Sequence, residues 1–264
     1  MTAARAGSPP ETSSDIVADA ARLLDELRAA GTRVHAITNA AAQVLTANLI
    51  LAVGGTPSLT IAPAEVAAFA ARADALVVNL GTLDAERRVA IPWAVATARA
   101  GGKPWVLDPV LVDASPGRLA FARLCLAGMP SILRCNAAEF RALSGEDASP
   151  DAVAAYARAL RTTVAVTGSV DWVSDGERSI ALANGDPLMA RVTALGCAGA
   201  ALLGAFAALE PDPTTAAACG LLAIGVAGEI AGGLAKGPGS FLPAFLDALA
   251  DLDRPTIRAR ARIA

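Results

Sequence analysis

The stretch ALVVNLGT at residues 75–82 decides the fold, because a continuous apolar run ends there in polar residues and a glycine. A continuous run is typical of a strand that is covered on both faces, whereas a half-exposed strand alternates. Outward from this run, similar short apolar segments lie at 33–38, 105–108, 131–134 and 164–167, and a helical segment follows most of them. This order predicts an α/β domain with a mostly parallel central sheet and helices on both faces.

The remaining segments complete one domain. We expect helices at 15–30, 39–52, 64–73 and 84–100, a strand at 58–61, and a further helix from residue 137. Asp175-Gly176 predicts the turn of a hairpin after residue 168. The predicted organisation is a flexible N-terminal tail at 1–14, a single domain at 15–252 and a basic, solvated C-terminal tail at 253–264.

Composition excludes several classes of protein. The chain has 264 residues, a net charge of −3, 54% hydrophobic residues and only 18% charged residues. Intrinsic disorder does not fit so much apolar surface, and a nucleic-acid partner does not fit a negative charge without a basic stripe. The apolar segments at 194–209 and 216–228 are shorter than the about 20 residues that a membrane span needs. We therefore expect buried core helices there and no membrane partner.

The cysteines and the N-terminus indicate a location. The four cysteines form no CxxC pair, and the polar N-terminus lacks the apolar core of a secretory signal. These features predict a cytoplasmic protein. The single histidine, His35, excludes a multi-histidine zinc site, and no phosphate loop of the GxxxxGK type is present.

The candidate ligand-binding residues follow the predicted strands. Ligands of open parallel sheets bind beyond the carboxyl ends of the strands. The polar residues and glycines at those positions are Thr38, Asn39, Asn79, Gly81, Thr82, Asp108, Asn136, Glu139, Thr167 and Gly168. Each alone is an ordinary cap or turn residue, but their recurrence at equivalent places favours a site.

A second candidate is the segment 193–197, which opens the first apolar helix. The free N–H groups of a helix N-terminus attract anions. Cys197 would lie in the first turn, where we expect the pKa of its thiol to be lowered toward neutrality. The alternative is a small buried apolar residue, which is the usual role of a free cysteine.

Several motifs carry a family resemblance. They are HAITN at 35–39, VVNLGTL at 77–83, LDPV at 107–110, NAAE at 136–139, VAVTGSVDWVSDG at 164–176, NGDPL at 184–188 and VTALGC at 192–197. In order and spacing, the chain resembles the hydroxyethylthiazole kinases from about Val34 to Ala250. The resemblance implies a ribokinase-like fold and ATP-dependent phosphorylation of 4-methyl-5-(2-hydroxyethyl)thiazole in thiamine salvage. It also implies Mg²⁺ as cofactor and a homotrimer with active sites between subunits.

The resemblance assigns roles to residues by position. Cys197 matches the catalytic cysteine, which helps to remove the hydroxyl proton. The positions that contact ATP are Arg118, Asn136, Thr167 and Gly168. The positions near the thiazole are Asn39, Leu59, Gly81, Thr82, Ala194 and Gly196. Asp108 and Glu139 match the positions near the metal and the phosphates.

The chain also departs from the family's motifs. Ala194-Leu195 stands where the family has Gly-Thr, Leu111–Ala114 replaces a GAGA segment, and Leu59 replaces a methionine. Ser169 replaces a common glutamate, and Ala40-Ala41 replaces larger or more polar residues. Three alternatives remain open: a working thiazole kinase, a related kinase for another small alcohol, or a degenerate member that binds ligand with little activity.

Overall fold

The structure is a computed structural model that describes residues 13–263. Residues 1–12 of the tail predicted at 1–14 lie outside this range, whereas Ser13 and Ser14 belong to the first helix and not to a tail. Within it, eight strands form one sheet in the order β2-β1-β3-β4-β5-β6-β7-β8. The strands are β1 Arg33–Ile37, β2 Thr56–Ser58, β3 Ala75–Asn79, β4 Trp105–Asp108, β5 Ile132–Asn136, β6 Thr163–Thr167, β7 Asp171–Ser174 and β8 Ser179–Leu182.

Strands β1 to β6 are parallel, and β7 and β8 continue the sheet as an antiparallel hairpin. The predicted α/β class and the predicted hairpin are therefore confirmed. The helices are α1 Ser13–Ala30, α2 Gln43–Ala52, α3 Val66–Arg72, α4 Ala85–Ala100, α5 Pro116–Leu126, α6 Ala137–Ser144, α7 Pro150–Leu160, α8 Leu195–Ala207, α9 Pro213–Leu234, α10 Pro238–Ala250 and α11 Arg254–Arg260, with a 3₁₀ turn at Pro187–Arg191.

The sheet is covered on both faces, which explains its continuous apolar strands. In β3, Val77 packs into a core with α1, α2, α8, α9 and α10, whereas Leu76 and Val78 pack into a second core with α3 to α7. Because successive side chains of a strand point to opposite faces, both sets must be apolar. This arrangement brings the carboxyl ends of β1, β3, β4, β5 and β6 to one edge of the sheet.

The two most apolar segments form α8 and α9, and both are buried helices of the first core. Within the described residues, α9 is long and apolar enough to cross a membrane, but 72% of its most apolar 18-residue stretch is buried in the fold. Glycines permit close packing here. A Cβ on Gly204 would lie 2.8 Å from the Val77 side chain, and one on Gly220 would lie 3.0 Å from Leu203.

Several boundaries differ from the prediction. The strand expected at 58–61 is Thr56–Ser58. The helix expected from Asn39 begins at Gln43, because the Asn39 side chain accepts a hydrogen bond from the backbone N–H of Ala42 (3.0 Å) and holds a turn there.

The C-terminal segment also differs. Residues 253–264 were predicted to be a solvated tail, but they contain α11, whose Ile257 is fully buried. Asp253 caps this helix, and Arg28 of α1 donates hydrogen bonds to the carbonyls of Ala250 and Leu252 just before it. The burial of Ile257, which the surrounding arginines concealed in the sequence, attaches the segment to the domain.

Candidate active site

A chain of buried amide groups links the ends of β1, β3 and β4. Asn39 Nδ2 donates to Asn79 Oδ1 (3.0 Å), and Asn79 Nδ2 donates to Asp108 Oδ2 (2.7 Å). All three side chains are buried. Because an ionised carboxylate only accepts hydrogen bonds, Asp108 in its charged form fixes the orientation of Asn79, which in turn fixes that of Asn39.

Gly81 and Thr82 lie beside this chain. The backbone N–H of Gly81 donates to Asn79 Oδ1 (3.0 Å), and Thr82 Oγ1 accepts from the N–H of Ala40 (3.2 Å). A Cβ on Gly81 would lie only 2.6 Å from the Cβ of Asn39. The structure thus brings the predicted residues Asn39, Gly81, Thr82 and Asp108 together.

Asp108 is the most unusual carboxylate of the group. Burial raises its pKa to about 7, since the loss of solvation outweighs the attraction of Arg134. Arg134 Nη1 lies 3.6 Å from Asp108 Oδ1, too far for a hydrogen bond. Among the described residues, nothing else donates to this oxygen.

Arg134 is a site residue that the sequence analysis missed. It lies within β5, donates from Nη2 to Thr167 Oγ1 (2.8 Å), and its side chain is only 15% exposed. Its guanidinium also lies against Gly196, where a Cβ would be 2.6 Å from Nη2. The signal was present in the sequence: an arginine within an otherwise apolar strand must have a buried or functional partner.

Cys197 lies in the first turn of α8, as predicted, and is partly exposed. The expected lowering of its pKa is wrong. Burial is the largest effect and raises the pKa of the Cys197 thiol, and the charge of Asp108 raises it further. The amides of Asn79 and Asn39 and the charge of Arg134 act in the opposite direction but do not prevail. The thiol is therefore protonated at neutral pH.

Ala194 precedes α8 in the left-handed conformation, with φ +69°. This conformation is the one that glycine adopts without strain, so an alanine at this position is strained. Leu111, at another replaced glycine, has φ +59°. Ala194 and Leu59, both predicted to contact the thiazole, are partly buried and pack against the first core.

Asn136 and Glu139 form a capping box at the start of α6. Asn136 Oδ1 accepts from the N–H of Glu139 (2.9 Å), and Glu139 Oε2 accepts from the N–H of Asn136 (2.9 Å). Glu139 Oε1 accepts from the N–H of Leu111 (2.8 Å), so this buried carboxylate also holds the loop after β4. Arg118 attaches the same loop through a hydrogen bond to the Val110 carbonyl (2.9 Å).

A cavity of about 550 Å³ adjoins this group of residues. Its polar lining includes Arg134, Thr167, Gly168 and Gly196, and its apolar lining includes Leu221 and Ile224. Asp171 also lines it and accepts from the N–H of Gly168 (2.9 Å), while burial raises the pKa of Asp171 to about 6. The cavity lies within the usual range of small-molecule sites, about 300–1,000 Å³.

The described residues contain no cluster of three or more His, Cys, Asp and Glu side chains that could hold a metal ion by themselves. Mg²⁺ does not need such a cluster, since it is commonly held by one or two carboxylates together with phosphate groups and water. The unpartnered oxygen of Asp108 and the buried carboxylate of Glu139 fit that mode of binding.

Comparisons with known proteins agree on one family. Residues 24–255 match the model described as "Hydroxyethylthiazole kinase family". A hydroxyethylthiazole kinase of Granulibacter bethesdensis is 47% identical over 253 residues, which cover 91% of this chain and 92% of the relative. One from Klebsiella pneumoniae is 49% identical over 247 residues, covering 88% and 95% respectively.

Solved structures agree with the sequence comparisons. The hydroxyethylthiazole kinase protein of Pyrococcus horikoshii has a TM-score of 0.89 and 38% identity, covering 93% of this chain and 98% of that one. A pyridoxal kinase of Staphylococcus aureus, solved with AMP-PCP and pyridoxal, has a TM-score of 0.62 at 16% identity, covering 75% and 88%. This second likeness extends to the fold alone.

Proposed function

Because the chain belongs to the hydroxyethylthiazole kinase family and has a ribokinase-like fold, we propose that it transfers the γ-phosphoryl group of ATP to the hydroxyl group of hydroxyethylthiazole. The observation that carries the proposal is the position of Gly196 and Cys197. Gly196 lines the cavity, and Cys197 interacts with the amides of Asn39 and Asn79. The first turn of α8 thus lies between the cavity of about 550 Å³ and the buried amide groups of Asn39 and Asn79.

The cavity is the proposed nucleotide site. Thr167 and Gly168, two of the residues expected to contact ATP, line it together with Arg134. Arg134, rather than Arg118, is the arginine suited to neutralise phosphate. Arg118 donates a hydrogen bond to the Val110 carbonyl and is not among the residues that line the cavity. Asn136 is proposed to act indirectly. Its side chain caps α6 and so positions Glu139, which in turn holds the loop at Leu111 by a hydrogen bond.

The first turn of α8 is the proposed site of the transferred phosphoryl group. Its N–H groups lack partners within the helix and favour negative charge. Gly196 presents no side chain, and a Cβ there would displace Arg134. Phosphoryl transfer depends mainly on positioning and charge neutralisation, which these groups supply.

The thiazole alcohol is proposed to bind near Asn39, Leu59, Gly81, Thr82 and Ala194. Cys197 would then contact its hydroxyl group. Because the thiol is protonated at neutral pH, Cys197 orients the hydroxyl and helps to remove its proton only through the small thiolate fraction. As the hydroxyl oxygen bonds to the γ-phosphorus, the bond from this phosphorus to the ADP oxygen breaks, and the hydroxyl proton leaves to the solvent.

Asp108 and Glu139 are the residues proposed to hold Mg²⁺. When bound, the ion would neutralise charge on the ATP phosphates. Asp108 contributes a buried oxygen without a hydrogen-bond donor, and the raised pKa of Asp108 means that a nearby cation would favour its ionised form. Glu139 already holds the two backbone segments that border the site.

A second subunit is proposed to complete the thiazole pocket, in a cytoplasmic homotrimer. Helix α2, which follows Asn39, exposes two large apolar side chains, Val44 at 74% and Leu51 at 58%. Apolar side chains exposed beside a candidate pocket fit a face that another copy of the chain covers. Sedimentation or light scattering of the purified protein would measure the assembly directly.

The test of the proposed function is turnover. We expect the purified protein, supplied with Mg²⁺ and ATP, to convert hydroxyethylthiazole to its phosphate ester. A panel of pyrimidine and sugar alcohols tests the identity of the substrate. Faster phosphorylation of one of these would make that alcohol the proposed substrate, in keeping with the alanine at position 194 where the family has glycine. Failure of the protein to bind ATP would contradict the kinase function itself.

A further inference from the structure

The C-terminal residues of the chain form an edge that extends the sheet beyond β8. Ile263 pairs with Leu182 in an antiparallel bridge. The backbone N–H of Ala183 donates to the Arg262 carbonyl (2.9 Å), and the N–H of Arg262 donates to Asn184 Oδ1 (2.7 Å). The Arg262 guanidinium donates twice to the Ala183 carbonyl, from Nε at 3.0 Å and from Nη2 at 2.7 Å.

These bonds converge on one carboxylate of α9. Glu229 Oε1 accepts from Asn184 Nδ2 (2.9 Å), from the N–H of Gly185 (3.1 Å) and from Arg262 Nη2. Asn184 Nδ2 also donates to the Arg260 carbonyl (2.8 Å). Glu229 is mostly buried, whereas Arg262 is half-exposed. The segment at 183–185 is therefore held between α9 and the C-terminus.

The held segment is also a wall of the cavity. Ala183, Asn184, Gly185, Asp186 and Pro187 all line it. On the other side, Asn184 packs tightly against α9, because a Cβ on Gly225 would lie 2.7 Å from the Cβ of Asn184. Loss of the hydrogen bonds that Arg262 makes to this segment would therefore change the shape of the cavity.

We propose that Arg262, through Glu229 and Asn184, is a positioning residue for the nucleotide: it fixes the wall at 183–187 in the shape that binds ATP. The inference rests on the proposed function, since it takes the cavity to be the nucleotide site. Pre-forming a binding wall increases affinity because the entropy of ordering it is lost during folding and not during binding. The exposure of Arg262 limits its direct electrostatic effect, so its contribution comes from geometry.

The contacts of Arg262 affect the binding of the nucleotide and not that of the alcohol. Four of the five residues proposed to bind the thiazole, Asn39, Leu59, Gly81 and Thr82, follow β1, β2 and β3, whereas the wall follows β8 at the opposite end of the strand order. The fifth, Ala194, precedes α8 and is not among the residues that line the cavity. A loosened wall therefore weakens the binding of ATP and ADP but leaves the KM for the alcohol and the phosphoryl-transfer step unaffected.

The experiment uses the full chain with Arg262→Ala, Arg262→Lys and the matched control Arg258→Ala, an exposed arginine on α11. Calorimetric titration with ADP and steady-state kinetics with each substrate are the measurements. We expect Arg262→Ala to raise the Kd for ADP and the KM for ATP about 5- to 10-fold, equivalent to about 1 kcal/mol. Arg262→Lys should recover part of this loss, and the KM for the alcohol should stay within about twofold.

Three results would overturn the inference: unchanged ADP affinity in Arg262→Ala, an equal rise of both KM values, or the same loss in Arg258→Ala. Thermal unfolding of each variant shows whether the protein remains folded at the assay temperature. If Arg262→Ala unfolds there, Glu229→Gln replaces it, and unchanged ADP affinity in that variant counts equally against the inference. ADP binding by the wild type without turnover of the thiazole would contradict the proposed substrate alone and leave the role of Arg262 testable.

Discussion

The guanidinium of Arg134 lies directly against Gly196, so that a Cβ on Gly196 would approach Arg134 Nη2 to 2.6 Å. Arg134 comes from β5 and Gly196 from the first turn of α8. Their contact places a positive charge beside the free N–H groups of a helix N-terminus. The two features together favour the binding of an anion at this place among the residues proposed for ATP.

Substitution of Gly196 by alanine should separate activity from stability. The methyl group would displace the guanidinium from Thr167, and we expect kcat to fall about 100-fold, the size of the loss when one transition-state contact is removed. Alanine is otherwise favoured in a helix by about 1 kcal/mol, so the fold should survive. Steady-state kinetics and thermal unfolding are the measurements.

Gly233→Ala is the matched control for Gly196→Ala. Gly233 lies in α9 and is not among the residues that line the cavity, and a Cβ there would meet no other atom within 4 Å. If Gly233→Ala loses as much activity as Gly196→Ala, the contact between Gly196 and Arg134 does not explain the effect.

Ala194→Gly should relieve strain without changing the backbone. A left-handed alanine costs about 1–2 kcal/mol, while glycine increases the entropy of the unfolded chain by about 0.4–1 kcal/mol. The net expectation is an increase of up to about 1.6 kcal/mol in the free energy of unfolding. Ala198→Gly, in the interior of the same helix, should instead destabilise the protein by about 1 kcal/mol or more. Chemical denaturation of both variants measures these effects.

The same Ala194→Gly variant addresses substrate fit. If the methyl group of Ala194 narrows the thiazole pocket, its removal lowers the KM for the thiazole alcohol and leaves the KM for ATP unchanged. An unchanged KM for the thiazole would mean that this departure from the family motif does not affect substrate binding.

The sheet could be predicted from the sequence because its signal is local. Each parallel strand is a short apolar run, and the polar residues at the strand ends, such as Asn79 and Asp108, mark the edge where a site forms. The class of the fold, the hairpin after residue 168 and the buried position of α8 and α9 all follow from such local patterns.

The missed features depend on partners that are remote in sequence. Arg134 belongs to the site because Asp108 and Thr167 lie on the strands beside it. Arg262 is held by Glu229 of α9, so it could not be distinguished from a solvated arginine by composition. The pKa of Cys197 depends on burial, which only the assembled fold establishes.

The Cys197 thiol should react slowly with alkylating agents at neutral pH. Burial raises its pKa, and the thiolate is the reactive form. Modification by iodoacetamide can be measured as a function of pH by mass spectrometry of the peptide that contains Cys197. We expect the rate to rise with pH, with a midpoint at a higher pH than for the same thiol in the denatured chain. A midpoint below that of the denatured chain would restore the expectation of a helix-activated thiolate.

Asp108 should make folding stability depend on pH. Burial raises its pKa from the ordinary 3.8 to about 7 in the folded protein. Between these two pH values the folded state retains a proton that the unfolded state has lost. The contribution of Asp108 to the free energy of unfolding therefore falls as the pH rises from one value to the other. Asp108→Asn cannot titrate. In metal-free and nucleotide-free buffer, the free energy of unfolding of the wild type, relative to the variant, should therefore decrease from about pH 4.5 to 7.5. A constant difference across this range would contradict the raised pKa.

The two arginines near the phosphate site should differ in kinetic effect. Arg134 donates to Thr167 and adjoins Gly196, whereas Arg118 donates to the Val110 carbonyl and supports a loop. Lysine retains a positive charge but lacks the planar fork of arginine, so Arg134→Lys should lower kcat/KM for ATP about 100-fold or more. Arg118→Ala removes one loop contact, and we expect a loss of less than about 10-fold in kcat/KM, the size of a single neutral hydrogen bond.

Calorimetry with ADP and a non-hydrolysable ATP analogue shows which phosphate group Arg134 contacts. Loss of affinity for the analogue alone places Arg134 at the γ-phosphate, and equal loss for both ligands places it at the inner phosphates. A larger effect of Arg118→Ala on both ligands would return the phosphate contact to Arg118, as the sequence resemblance first implied.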